Sequence, residues 1–178
     1  MQEKITTSGR KMYKGSIPPE NVQTILFVCT GNTCRSPLAE NFLKKLLAGK
    51  ARRRIEVSSA GLTALPGSPP SFHSLRVALE NSISLEEHQA RLVTSEHVEQ
   101  ADLIVVMEPG HRKQLLDLYP HASEKIYLLR HFARYGSRER GIHDPYGLNL
   151  EAYRFCFEDM KECIQSLHEW LLKAGQGE

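Results

Sequence analysis

The sequence predicts an α/β domain built on a parallel β-sheet with helices on both faces. Three observations carry this. Two short, unbroken apolar runs, Ile25 to Cys29 and Leu103 to Met107, have the length and composition of strands covered on both sides. Segments with helical spacing stand between the strands, the clearest being Leu38, Phe42, Leu43, Leu46 and Leu47 on one face. The chain has 178 residues, enough for one domain with its own core. Strands that alternate with helices need crossover connections, and crossovers put helices on both faces of a parallel sheet.

In chain order, residues 1–20 read as a flexible polar extension and residues 21–178 as a single domain. The extension carries Lys4, Arg10, Lys11 and Lys14, with Gly9, Gly15 and the Pro18-Pro19 pair. Thr24 to Cys29 is the first strand. Ser36 to Ala48 is a helix whose first positions suit Ser36 and Pro37. Ile55 to Ser59 is a second strand, Gly61 to Pro70 a loop and Ser71 to Glu80 a helix. Ser95 to Gln100 is a short helix, Asp102 to Met107 a third strand, Pro109 to Leu118 a helix and Lys125 to Leu129 a fourth strand. His131 to Leu148 is a long polar loop, and loops of that length inside a domain are usually functional. Glu151 to Leu172 closes the chain as an amphipathic helix.

Composition narrows the function. Net charge is +2, from 23 basic and 21 acidic side chains, so no charge excess points to nucleic acid or membrane. No apolar run approaches a membrane span and the N-terminus lacks a signal-type apolar segment. Four cysteines make no disulfide framework, which suits a reducing cytoplasm.

The segment from Cys29, C-T-G-N-T-C-R-S-P, lies between the first strand and the first helix. Ligands of parallel sheets bind beyond the carboxyl ends of the strands. A loop entering a helix N-terminus aims several backbone N–H groups at one point, where the helix dipole favours an anion. Gly31 and Asn32 can take the positive φ that such a nest needs. Five residues separate Cys29 from Arg35, enough chain to curl round a tetrahedral dianion. That curl brings a two-pronged guanidinium beside the sulfur. A thiol so placed is expected to have a lowered pKa and to attack phosphorus in line. Ser36 can hydrogen-bond the thiolate and favour its departure, and Asn32 can brace the loop. The loop lacks the Gly-Lys-Ser/Thr ending of a nucleotide-binding sequence. Expelling the leaving group needs an acid, and Asp144, before Pro145 in the long loop, is the candidate. His143 reads as a solvated neighbour, and Tyr146 as a wall of the substrate cleft.

These residues resemble the low-molecular-weight protein tyrosine phosphatase family, which includes bacterial protein arginine phosphatases. The likeness runs through V-C-T-G-N-T-C-R-S-P-L-A-E at Val28 to Glu40, S-S-A-G at Ser58 to Gly61 and H-Q-A-R at His88 to Arg91. It continues through A-D-L-I-V-V-M at Ala101 to Met107 and D-P-Y-G at Asp144 to Gly147. The resemblance implies a three-layer, flavodoxin-like fold with a four-stranded parallel sheet. It implies a phosphocysteine intermediate on Cys29, phosphate and transition-state binding by Arg35, and Asp144 as general acid and then base. Thr30, Gly31, Asn32, Thr33, Cys34 and Ser36 would form the phosphate-binding loop. No metal and no cofactor are expected, the partner is a phosphorylated protein, and the chain is expected to be a cytoplasmic monomer.

Thr33 and Tyr146 are the candidate specificity residues. Tyrosine phosphatases of the family usually carry a larger aliphatic residue at the place of Thr33, and its arginine phosphatases carry Thr. A hydroxyl and a smaller wall suit a planar guanidinium better than a phenol ring. Gly147 after Tyr146 also resembles the arginine branch, whereas Leu148 stands where that branch often has a second glycine. Phosphoarginine is therefore the expected substrate, with phosphotyrosine the alternative.

Cys34 lies in the same loop as Cys29 and is a candidate redox partner for it. No second ligand pair has zinc spacing. Cys156 and Cys163 raise the alternative of an arsenate reductase. They share a three-to-four-residue repeat with Met160, Leu167 and Trp170, which is the pattern of a core stripe. A phosphate-binding module without turnover would keep the nest but need no acid such as Asp144. His73, His88, His97 and His111 form no ligand-like group and read as surface or helix-end residues. Arg91 reads as structural and Arg52 to Arg54 as a solvated basic run.

Overall fold

The computed structural model describes residues 17–49 and 54–173. Four strands, β1 (Thr24–Cys29), β2 (Glu56–Gly61), β3 (Leu103–Val106) and β4 (Ile126–Leu128), form one parallel sheet in the order β2-β1-β3-β4. The helices are α1 (Arg35–Leu47), α2 (Phe72–Glu80), α3 (Ser95–Gln100), α4 (Pro109–Leu118) and α5 (Leu150–Lys173). This is the three-layer, flavodoxin-like architecture expected.

Alternation along β1 divides the core. Ile25 and Phe27 face a cluster built with Leu38, Phe42 and Leu43 of α1, Val77 of α2, and Phe157, Met160, Ile164 and Leu167 of α5. Leu26 and Val28 face the opposite cluster, with Val98 of α3, Leu115 of α4, Ile104, Val106 and Ile126. Thus α1, α2 and α5 cover one face and α3 and α4 the other. Phe42 meets Phe157 edge-on, with centroids 5.4 Å apart and planes at 71°, an arrangement favoured by the ring quadrupoles.

The sheet ends in register at its functional edge, with Cys29 beside Gly61 and Val28 beside Val106. β2 runs two residues further than the sequence predicts, since Ala60 and Gly61 lack the branched side chains that mark a strand but still pair with β1. Helix α1 begins one residue earlier than expected, at Arg35, with Cys34 as N-cap and no capping side chain. At the other end of the chain's packed part, Ile17 packs against the core and Pro19–Asn21 makes a 3₁₀ turn. Packed chain therefore reaches into the segment assigned to the extension. Residues 1–16 lie outside the described residues, as do Arg52 and Arg53 of the basic run.

Candidate active site

Cys29 ends β1, almost fully buried. From Cys29 to Arg35 the chain turns back on itself, and the turn is enforced from outside. Leu62 N–H bonds the Cys29 carbonyl (3.0 Å), Thr63 N–H that of Thr30 (2.9 Å) and Ser71 N–H that of Thr33 (2.9 Å). His88 Nε2 lies 2.8 Å from the Asn32 carbonyl, and because a carbonyl only accepts, that nitrogen carries the proton. Carbonyls held outward turn peptide N–H groups inward, and those of Ser36 and Asn32 bond the Cys29 sulfur.

Two local features permit the turn. Asn32 sits at φ 55°, whereas Gly31 does not take the positive φ that the sequence suggested. The single left-handed residue has a side chain because its amide is used within the site. Gly61, from S-S-A-G, is required by close approach. A Cβ there would lie 2.6 Å from the Thr30 carbonyl oxygen and 2.9 Å from Asn32 N.

Asn32 is fully buried. Its Oδ1 accepts Arg91 N–H (2.9 Å), and its Nδ2 donates to Ser36 Oγ (2.9 Å) and Ser59 Oγ (2.8 Å). Ser36 Oγ in turn lies 2.9 Å from Cys29 Sγ. Arg91, read as structural, also donates from Nε to the Ser59 carbonyl (2.7 Å).

Arg35 carries its guanidinium into the interior, 1% exposed. A buried cation must be paired, and three acceptors surround it. Nη1 bonds Glu108 and the Ile142 carbonyl (2.9 Å), while Nη2 lies 2.7 Å from Asp144 Oδ2. Burial works against the charge, but the Glu108 bond and the fields of Asp144, Cys29 and Glu108 outweigh it and keep Arg35 cationic. Asp144 also accepts Tyr146 N–H at Oδ1 (3.2 Å), so one carboxylate both forms the turn at Pro145 and reaches Arg35.

The expectation of a lowered Cys29 pKa is not met. Burial pushes the thiol up from its ordinary value, against the Ser36 side chain, the Ser36 backbone, the Arg35 charge and the Asn32 backbone, which pull it down. The physical reason is desolvation, since the sulfur ends a buried strand and its burial outweighs the donors and the charge around it.

The structure thus brings Cys29, Asn32, Arg35, Ser36 and Asp144 together. Thr33 is half-buried, Thr30 and Tyr146 are exposed, and His143 is exposed as expected. Cys34 Sγ turns to Ser71 Oγ and the Tyr153 hydroxyl, each 3.4 Å away. A cleft of about 600 Å³ beside Asp144 is lined by Glu108, Arg140, His143 and Asp159. Cys156 and Cys163 are buried with Met160 and Leu167, as a core stripe should be, and burial pushes each thiol up to about 12.

Sequence reasoning missed Glu108, His111, His88 and Ser59. His111, read as a surface or helix-end residue, is buried with Nε2 2.9 Å from Thr30 Oγ1. Its pKa is lowered by burial and by Arg35, against Glu108 and Asp144. A signal was present, since Glu108 and His111 follow β3 at the same carboxyl edge as the loop after β1.

A parallel four-stranded sheet with a cysteine-and-arginine nest at its carboxyl edge defines the class of small cysteine-dependent phosphatases. Residues 24–176 match the family model described as "Low molecular weight phosphotyrosine protein phosphatase". The chain is 36% identical over 147 residues to a protein-arginine-phosphatase of Geobacillus stearothermophilus, covering 83% of this chain and 95% of that protein. It is also 36% identical over 155 residues to the low molecular weight protein-tyrosine-phosphatase Wzb of Salmonella typhi, covering 86% and 96%. The solved tyrosine phosphatase Wzb of Escherichia coli K30, in complex with sulphate, superimposes with a TM-score of 0.75 at 32% identity, over 83% of this chain and 97% of that one. The chain belongs to the low molecular weight phosphotyrosine protein phosphatase family and is a protein phosphatase.

Proposed function

We propose that this phosphatase removes phosphoryl groups from arginine side chains of proteins through a phosphocysteine intermediate. The observation that carries the chemistry is the convergence on one point of Cys29 Sγ, inward N–H groups, Arg35 and Asp144. A phosphoryl dianion entering the nest takes the Arg35 fork in exchange for Asp144, which frees that carboxyl to face the leaving group. The Cys29 thiol gives up its proton and the freed Asp144 carboxylate takes one up. The thiolate attacks phosphorus, the bond from phosphorus to the guanidinium nitrogen breaks, and Asp144 protonates that nitrogen. Asp144 then takes a proton from water as the water attacks the phosphocysteine. Sulfur leaves with a hydrogen bond from Ser36, and inorganic phosphate is released. Inward N–H groups and Arg35 stabilise the charge on the equatorial oxygens throughout.

Support for phosphoarginine comes from Thr33, a small hydroxyl-bearing residue on the loop, and from the similarity to a protein-arginine-phosphatase. The tyrosine reading has support of equal identity in Wzb, and exposed Tyr146 offers a face for a phenol ring. Side-by-side kcat/KM values on phosphoarginine and phosphotyrosine peptides of one sequence decide between them. Phosphoarginine is expected to be preferred, and a large phosphotyrosine preference overturns the reading. Loss of turnover in Cys29→Ser tests the nucleophile separately.

A further inference from the structure

We infer that Glu40 is a positioning residue that fixes the direction of the hydrogen-bond chain ending on the Cys29 sulfur. The inference rests on the reading of Cys29 as nucleophile and adds a residue outside the nest. Glu40 lies on α1, one and a half turns beyond Arg35, and its side chain is 12% exposed.

Proton directions along the chain follow from valence alone. Arg91 N–H occupies Asn32 Oδ1, so the amide nitrogen of Asn32 must be the end that faces the two serines. Ser36 and Ser59 therefore both accept from Nδ2, and each keeps one proton to give elsewhere. The Ser59 proton goes to Glu40 Oε2, 2.5 Å away, because a carboxylate can only accept. Ser36 has Cys29 Sγ at 2.9 Å, and once that sulfur is a thiolate, which can only accept, the Ser36 proton points at it. Lys44 Nζ, 2.5 Å from Glu40 Oε1, holds the carboxylate in place from the solvent side.

Two anchors thus oppose rotation of the Asn32 amide, Arg91 N–H at one end and Glu40 through Ser59 at the other. With the amide reversed, Asn32 Oδ1 would face Ser36 and draw its proton away from sulfur. The carboxylate also polarises Ser59, making its oxygen a better acceptor for Asn32. The Ser36 side chain is the largest of the influences that favour ionised Cys29, and Arg35 is the charged group that acts with it. Whatever holds the Ser36 proton on sulfur therefore favours both attack by the thiolate and its departure from phosphocysteine.

The test reads the thiol itself. Alkylation of Cys29 by iodoacetamide is followed across pH by mass spectrometry in wild type, Glu40→Leu, Glu40→Gln and Ser59→Ala. Glu40→Leu is expected to raise the midpoint by about one pH unit, and Glu40→Gln, whose Oε1 still accepts from Ser59, by much less. Ser59→Ala should shift the midpoint the same way, and adding Glu40→Leu to it should give no further shift, since both act through one chain. A folded Glu40→Leu with an unmoved midpoint overturns the inference, as do equal shifts in Leu and Gln variants or additive shifts in the double variant. Retained turnover in Cys29→Ser refutes the nucleophile instead, and the alkylation midpoints remain readable in that event.

Discussion

Arg35 Nη2 and Asp144 Oδ2 lie 2.7 Å apart, joining the loop after β1 to the loop after β4 across the carboxyl edge of the sheet. The acid candidate and the phosphate clamp are thus partners before any anion arrives. Asp144→Asn removes both the proposed proton donor and the competitor for Arg35. The expected outcome is a kcat lower by about 10² to 10⁴, with the greater loss on poorer leaving groups. Inhibition by inorganic phosphate should strengthen at the same time. A series of aryl phosphates and a phosphate inhibition constant measure the two effects. Weaker phosphate inhibition in the variant rules out the exchange of Asp144 for phosphate on Arg35.

Thr33 is half-buried while its neighbours Asn32 and Cys34 are buried. Thr33→Ile enlarges the wall and removes the hydroxyl. The ratio of kcat/KM for phosphoarginine over phosphotyrosine peptides should fall by about tenfold or more, because lost polar recognition discriminates more strongly than added methylene. An unchanged ratio removes Thr33 from the specificity argument.

How far the site could be read in advance depended on sequence distance. The nest was legible because Cys29 to Ser36 is contiguous, bounded by an apolar strand and an amphipathic helix, and the core stripe of α5 was legible from its period alone. Glu108 and His111 were not. Their roles exist only because β3 lies beside β1, so that the residues after Val106 meet Arg35 and Thr30. Nothing local to M-E-P-G-H states that the glutamate pairs a buried guanidinium. Arg91 sits between these cases. It was rightly assigned to structure, but its backbone N–H sets the Asn32 amide, a contact 59 residues apart in sequence. The expectation of a lowered Cys29 pKa counted the N–H groups and the Arg35 charge without the depth at which the sulfur is buried, and that depth is set by packing from segments far apart in sequence.

Cys34 is buried in the loop five residues after Cys29 and is held by Ser71 and Tyr153 rather than in a disulfide. Peroxide converts a reactive Cys29 to its sulfenic acid. Attack by the Cys34 thiol on that sulfur expels water and forms a disulfide, which added dithiothreitol reduces. Wild type inactivated by peroxide is therefore expected to recover in dithiothreitol, and Cys34→Ser is expected to recover poorly. Equal recovery in both proteins, with no Cys29–Cys34 peptide by mass spectrometry, excludes the protective bond.

Cys156 and Cys163 make a prediction at alkaline pH. Burial raises both thiols from their ordinary value of 9.0 to about 12. Below pH 9 both are protonated in the folded and unfolded states, and their contribution to stability is complete. Between pH 9 and 12 the unfolded chain loses these protons while the folded chain keeps them. Stability therefore falls as pH rises, with a limiting slope of about 1.4 kcal/mol per pH unit for each cysteine. Tyr153, pushed up from 10.0 to about 12, steepens the loss above pH 10. The double variant Cys156→Ala, Cys163→Ala leaves cavities and starts from lower stability, but its urea midpoint should decline less steeply from pH 9 to 10.5. Parallel declines in the two proteins mean that the thiols ionise as readily in the fold as outside it. They would then be open to the redox chemistry that core packing denies them.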